Sequence, residues 1–165
     1  MTDVLPSRCS PEAGARTTGP APTCRPVGCA TDLAAHHAVR RAVFVDEQHL
    51  FAPDDLDAYD GGAASVHVLG LIDGVPAGAV RLYPLGGGLW KGDRLAVLRP
   101  YRRSGIGAPL VRLAVQTAGA LGGARMVAQV QAANTAFFHE LGWTCEGAAA
   151  DHLGVPHQQM SIALR

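Results

Sequence analysis

The chain lacks a surplus of charge of either sign. Its 14 Lys+Arg balance 14 Asp+Glu over 165 residues, which excludes the broad basic field of a nucleic-acid binder. No apolar run approaches the length of a membrane span, and the N-terminus lacks the apolar core of a signal peptide. The expectation is a cytoplasmic protein with neither nucleic acid nor membrane as partner. The four cysteines, Cys9, Cys24, Cys29 and Cys145, show neither metal-ligand spacing nor a dense framework, as expected of reduced thiols. The seven histidines show no paired ligand spacing. Adjacent His36 and His37 would point about 100° apart on a helix, so no metal site is expected. An acidic loop carries Asp54, Asp55, Asp57 and Asp60 without the EF-hand spacing or its closing glutamate.

What is present reads as one domain, residues 23–165, behind a flexible tail, 1–22, that is rich in Pro, Ala, Thr, Gly and Arg. A short strand is expected over 23–29. Thr31 or Asp32 would then cap a helix reaching about residue 46. On it Ala35, Ala38, Val39, Ala42 and Val43 form an inward stripe, and Leu33, His37, Arg40 and Phe44 a second. His36, His37, Arg40 and Arg41 read first as a solvated face. Strands follow at 65–72 and 75–83, joined by an Asp73-Gly74 turn, then at 90–98. A helix runs to about Leu121 and ends at Gly122-Gly123. A continuous apolar strand at 126–131 reads as a buried parallel partner. Asn134 opens a short helix, and two last strands lie near 143–148 and 157–164.

The stretch between the 90–98 strand and the following helix concentrates the chemistry: Arg99, Pro100, Tyr101, Arg102, Arg103, Ser104, Gly105, Ile106, Gly107, Ala108, Pro109. Pro109 is tolerated only in a first helical turn, so the helix must begin near Gly105 to Gly107. A glycine-containing turn there leaves bare backbone N–H groups at the positive end of the helix dipole, a place for a phosphate or pyrophosphate. The stretch is not a P-loop, because no Gly-Lys-Ser/Thr ends it. It is not the dinucleotide fingerprint either, since Leu110 stands where the third glycine belongs.

Arg102-x-x-Gly105-x-Gly107 resembles the acyl-CoA loop, Gln/Arg-x-x-Gly-x-Gly/Ala, of the GNAT (Gcn5-related) acyltransferases, and the order of elements resembles theirs. Over roughly residues 31–163 the likeness extends to the ElaA-like branch. It is carried by Arg40 with Val43-Phe44-Val45-Asp46-Glu47-Gln48, by the Asp54–Asp60 loop, and by His67-Val68-Leu69-Gly70. Ala77-Gly78-Ala79-Val80-Arg81-Leu82-Tyr83-Pro84 and Gly154-Val155-Pro156-His157-Gln158-Gln159-Met160 complete it. The first half is also similar to the acyl-homoserine-lactone synthases, through Arg40, Phe44, Asp57, Asp60 and Arg81.

The resemblance implies an α/β (α+β) fold, a mixed, mostly antiparallel sheet of about six or seven strands flanked by about four helices. A V-shaped splay is expected between the fourth and fifth strands. It implies acetyl-CoA as co-substrate, no metal, and N-acyl transfer to a small amine in a ternary complex; a homodimer is among the expectations. The implied CoA contacts are Arg102, Arg103, Ser104, Gly105, Ile106, Gly107, Ala108, Asn134 and Phe138, with the Val97 N–H polarising the thioester. Candidate bases are Asp93, which a strict period of two puts on the face of Leu95 and Val97, then Glu47, His67, Gln131 and His157, the last with the most suitable ordinary pKa. Arg40, Phe44, His67, Arg81 and Gln131 are the implied substrate residues, the arginines suiting a carboxylate and the aspartates a cationic amine. The family's proton-donating Tyr is replaced by Phe138, leaving water, His139 or Tyr83 to protonate the leaving thiolate. A synthase using S-adenosylmethionine and a non-catalytic acyl-CoA-binding domain are the alternative readings.

Overall fold

The structure is a computed structural model that describes residues 21–165. Most of the tail expected over 1–22 lies outside the described residues, although Pro22 already opens β1 (Pro22–Pro26). The elements that follow are α1 (Ala30–Arg40), a π-helical segment (Arg41–Glu47), β2 (Val66–Ile72), β3 (Val75–Gly86) and β4 (Leu89–Val97). After them come α2 (Gly107–Ala120), β5 (Arg125–Gln131), α3 (Thr135–Glu140), β6 (Thr144–Cys145), β7 (Ala150–His152) and β8 (Val155–Ala163). The strands make one eight-stranded mixed sheet in the order β1-β2-β3-β4-β5-β8-β6, with β7 also on β8. Among the described residues only β4 and β5 pair in parallel. That is the expected fold, with two differences. The described residues hold three α-helices where about four were expected, and the last hairpin is split into three strands.

Each face of the sheet carries a helix. Val39, Val43 and Phe44 of the first helical run pack on Ala79 and Ala96. On the other face Ile106, Leu110, Val111, Ala114 and Ala118 pack on Val68, Val80 and Leu82. Gly78 permits that second contact: a Cβ there would stand 2.7 Å from Leu110 Cδ1 and 3.2 Å from the Ala96 carbonyl. The Asp73-Gly74 turn takes φ of 50° and 79°, as a tight hairpin between right-twisted strands requires.

Several local expectations are corrected. The cap of α1 is Cys29, whose Sγ accepts from the Asp32 N–H at 3.4 Å, because the helix starts one residue before Thr31. The basic face of α1 is not solvated: His36 and Arg40 are fully buried. β5 is half-buried rather than continuously apolar, with Gln129 exposed. In β4 the register passes from Arg81↔Asp93 to Ala79↔Ala96, so Arg94 and Leu95 together face Val80. This bulge, with Arg94 at φ 54°, breaks the period of two. Directly paired residues share a face, so Asp93 lies on the face of Ala96 and Val97 lies on the other.

Candidate functional site

Two backbone features meet at the C-terminal end of β4. The first is the split of the sheet. β4 pairs with β5 at Leu89↔Arg125, Trp90↔Met126 and Lys91↔Val127, and the two strands then diverge. The Leu98 N–H donates to the Ala77 carbonyl at 2.8 Å, so strand alternation turns the polar groups of Val97 the other way, into the split. The Val97 carbonyl accepts from Arg102 Nε at 3.1 Å; its N–H faces the gap.

The second feature is the turn that enters α2. Ser104 holds it from within: its N–H donates to the Tyr101 carbonyl at 3.0 Å, its hydroxyl donates to the same carbonyl, and its Oγ accepts from the Ile106 N–H at 3.3 Å. Among the described residues, the N–H groups of Arg103, Gly105, Gly107 and Ala108 have neither a backbone nor a side-chain acceptor. Gly105 sits at φ 81°, with nothing within 4 Å of where a Cβ would stand. Ile106, by contrast, is buried against the sheet and anchors the turn. Gly107 abuts the Phe137 ring, 3.4 Å from a Cβ placed there. Bare, converging amides at a 14-residue helix start fit a pyrophosphate.

A cavity of about 200 Å³ runs from α2 through the split. Its apolar lining includes Val111, Ala114, Met126 and Phe138, together with Phe44, Leu50, Phe51 and Leu153. Phe138 is buried edge-on against Phe137 and Trp143, with centroids 5.4 Å apart in each pair. It is a wall and offers no proton. The other two acids considered stand elsewhere. His139 Nδ1 is 3.0 Å from the Trp143 carbonyl, and neither His139 nor Tyr83 lines the cavity. Tyr83 donates to Asp93 at 3.2 Å, and burial together with that carboxylate raises its pKa.

The candidate bases differ sharply in their surroundings. Asp93 reaches the cavity but receives Arg81 Nε and Nη2, both at 2.8 Å, besides the tyrosine. Glu47 is clamped by Arg102 at 2.6 Å on each oxygen, and that pair holds its carboxyl below the usual range. His157 lines the cavity as Gln131's register partner on β8. Its Nδ1 is 2.8 Å from the Val155 carbonyl, a contact in which the ring N–H donates; Nε2 is then the lone-pair nitrogen. Gln131 donates to Gln48 Oε1 at 2.9 Å, across the cavity wall. Asn134 lines the cavity without capping α3.

Arg40 and Arg81 do not reach a substrate. Both are fully buried. Arg40 donates to Asp55 at 2.8 Å and to Asp60 at 2.6 and 3.1 Å. Arg81 binds Asp93 and, at 2.6 and 2.9 Å, Asp57, with Asp60 also 2.9 Å away. Arg94 closes the cage on Asp55 at 3.1 Å and lies 4.4 Å over the Phe51 ring. Asp55, Asp57 and Asp60 are therefore bound to guanidiniums, and the two arginines expected to hold a substrate carboxylate are occupied. His67 is likewise inside, its Nε2 3.3 Å from the Asp60 carbonyl, and outside the cavity lining. Phe44 lies in the cavity wall. Sequence reasoning missed Gln48, Leu50, His152 and Leu153 as lining residues; Gln48, adjacent to Glu47 in the branch motif, was the one with a signal.

The acetyltransferase (GNAT) family model matches residues 32–143. YyaT, an uncharacterized protein of Bacillus subtilis (strain 168), is 29% identical over 136 residues, covering 79% of this chain and 90% of its own. The crystal structure of Escherichia coli ElaA superposes with a TM-score of 0.75 at 20% identity, covering 86% of this chain and 99% of the other. The CoA-dependent acyl-homoserine lactone synthase BjaI, solved with SAM and isopentyl-CoA, gives 0.69 at 22% identity, covering 82% and 78%. Those two structures share the fold. With a sheet split at β4–β5, an amide-lined turn below it and a family match over most of the domain, the chain belongs to the GNAT acetyltransferase family.

Proposed function

We infer that the chain is an acyl-CoA-dependent N-acyltransferase, with acetyl-CoA the simplest donor and a small amine with an apolar body as acceptor. One observation carries the reading: the unpaired N–H groups of Arg103, Gly105, Gly107 and Ala108 open beside a β4–β5 split into which Val97 turns its own N–H. The turn would bind the donor's pyrophosphate, and the edge of β5 beyond Val127 would pair with its pantetheine arm as an added strand. The Val97 N–H would donate to the thioester oxygen as charge develops on it. His157 Nε2 would take the proton of the amine whose nitrogen attacks the carbonyl carbon. The C–S bond then breaks, and the thiolate leaves with a proton from water, since Phe138 has none to give.

The apolar side chains of the cavity, Phe44, Leu50, Phe51 and Leu153 among them, suit an apolar amine better than an amino acid. No expected carboxylate-binding arginine is free there. The test is thiol release from acetyl-CoA across a panel of amines, with S-adenosylmethionine plus longer acyl donors as a second arm. Release with a hydrophobic primary amine, reduced about a hundredfold or more in His157→Ala, supports the assignment. Release only with S-adenosylmethionine would make the chain a synthase. Stabilisation by CoA thioesters without release in either arm would make it a binding domain.

A further inference from the structure

Behind the arginine–aspartate cage, away from the cavity, three imidazoles converge. His36 and His37 come from α1 and His67 from β2. Their ring centroids lie 4.9 Å (His36–His67), 5.7 Å (His36–His37) and 5.9 Å (His37–His67) apart, all edge to face. One ring nitrogen of each is buried without a hydrogen-bond partner: His36 Nδ1, His37 Nε2 and His67 Nδ1. One ligand nitrogen from each ring lies within 4.8 Å of the other two. The opposite nitrogens explain the tautomers. His36 Nε2 is 3.2 Å from the Val80 carbonyl and His67 Nε2 is 3.3 Å from the Asp60 carbonyl, so both donate outward and both Nδ1 atoms keep bare lone pairs. Two lone pairs cannot bond each other, and a buried acceptor left without a partner is costly. A backbone carbonyl fixing the far nitrogen is also how metal-bound histidines are oriented.

We propose that His36 Nδ1, His37 Nε2 and His67 Nδ1 form a zinc site that ties α1 to β2. Three neutral imidazoles suit Zn²⁺, and Zn–N bonds of about 2.0–2.1 Å set the nitrogens about 3.3 Å apart in a tetrahedron, a modest contraction of this cluster. Asp60 Oδ1, which accepts from Arg40 at 2.6 Å, lies 3.9 Å from His37 Nε2. The adjoining cage sets four carboxylates (Asp55, Asp57, Asp60, Asp93) against three guanidiniums (Arg40, Arg81, Arg94), an excess of one negative charge beside the site. The site escapes a search for ligand spacing because its third ligand lies on β2, across the acidic loop from α1. None of the three lines the catalytic cavity, so the role is structural.

The test uses the full chain, stripped of metal by chelator and titrated with zinc chloride. One equivalent should be taken up and should raise the melting temperature. His37→Gln, at the most exposed of the three positions, should keep its metal-free melting temperature and bind zinc at least tenfold more weakly. Cobalt(II) substitution should give the intense visible bands of a tetrahedral site without a thiolate charge-transfer band. That band would place the metal on a cysteine, such as Cys145, whose Sγ is 3.4 Å from His139 Nε2, and would overturn the proposal. So would zinc affinity unchanged in His37→Gln, or no uptake at micromolar zinc.

Discussion

The turn entering α2 and the cage beneath the acidic loop are both rich in arginine, yet they do opposite things with their polar groups. In the cage every guanidinium meets carboxylates of its own chain, so that each positive charge is paired internally and the residues are fixed. In the turn the side chains matter less than the backbone. Arg102 is held by Glu47 and by the Val97 carbonyl, and the groups left without partners are amides. Arginine in a sequence therefore marks a ligand only where no matching aspartates fold against it. A glycine turn at a helix start carries its binding capacity whatever its neighbours do, because amides there have no helical acceptor.

The difference is tested hardest by removing a cage cation. Arg81→Met leaves Asp57 and Asp93 part-buried without their main partner, and should cost about 3–5 kcal/mol in urea unfolding. A variant as stable as the parent would mean that the cage is solvated. At the turn, Gly105→Glu sets a side chain and a negative charge where the amides point, in a conformation unfavourable to L residues. CoA thioester affinity should fall about a hundredfold or more, some 2.8 kcal/mol, while the melting temperature without ligand drops only slightly. Equal affinity would remove the turn from the site.

Acid separates the regions less strongly. Burial alone would raise the Asp57 carboxyl, but hydrogen bonds and charge from Arg81 outweigh it and leave the pKa depressed; Glu47 is depressed by Arg102. A carboxyl depressed on folding stabilises fully above its unfolded value, about 3.9 for Asp and about 4.3 for Glu, and loses that contribution as pH falls through the folded value. Unfolding free energy should thus fall below about pH 4, with Arg81→Met showing a shallower slope there.

The turn was legible in the sequence because its constraints are local: Pro109 fixes where the helix begins, and Gly105 and Gly107 fix where amides can be approached. The hairpin at Asp73-Gly74 was legible for the same reason. What could not be read depends on partners distant along the chain. Arg40 shows the helical spacing of a surface residue, and only the return of Asp55 and Asp60 over it makes it core. The bulge at Arg94 is set by pairing with β3, and it moves Asp93 off the face of Val97. β8 inserts between β5 and β6, which brings His157 opposite Gln131 and onto the cavity, an arrangement no single segment encodes.

The smallest effect concerns Glu47, whose carboxylate ties the end of the first helical run to the turn. Glu47 follows α1 and grips Arg102 at the mouth of the turn, with Arg99 beside it at 3.4 Å. Its depressed carboxyl is fully ionised from pH 6 to 9, so it can produce no limb in a pH–rate profile over that range, and Glu47→Gln should leave the profile's shape unchanged. What the substitution removes is the charge that steadies Arg102 against the Val97 carbonyl. An exposed pair of this kind is weak, so KM for the thioester should rise by about two- to fivefold with kcat nearly constant. A loss in kcat with a displaced acidic limb would instead make Glu47 the base, and would return the proton-accepting role from β8 to the end of the first helix.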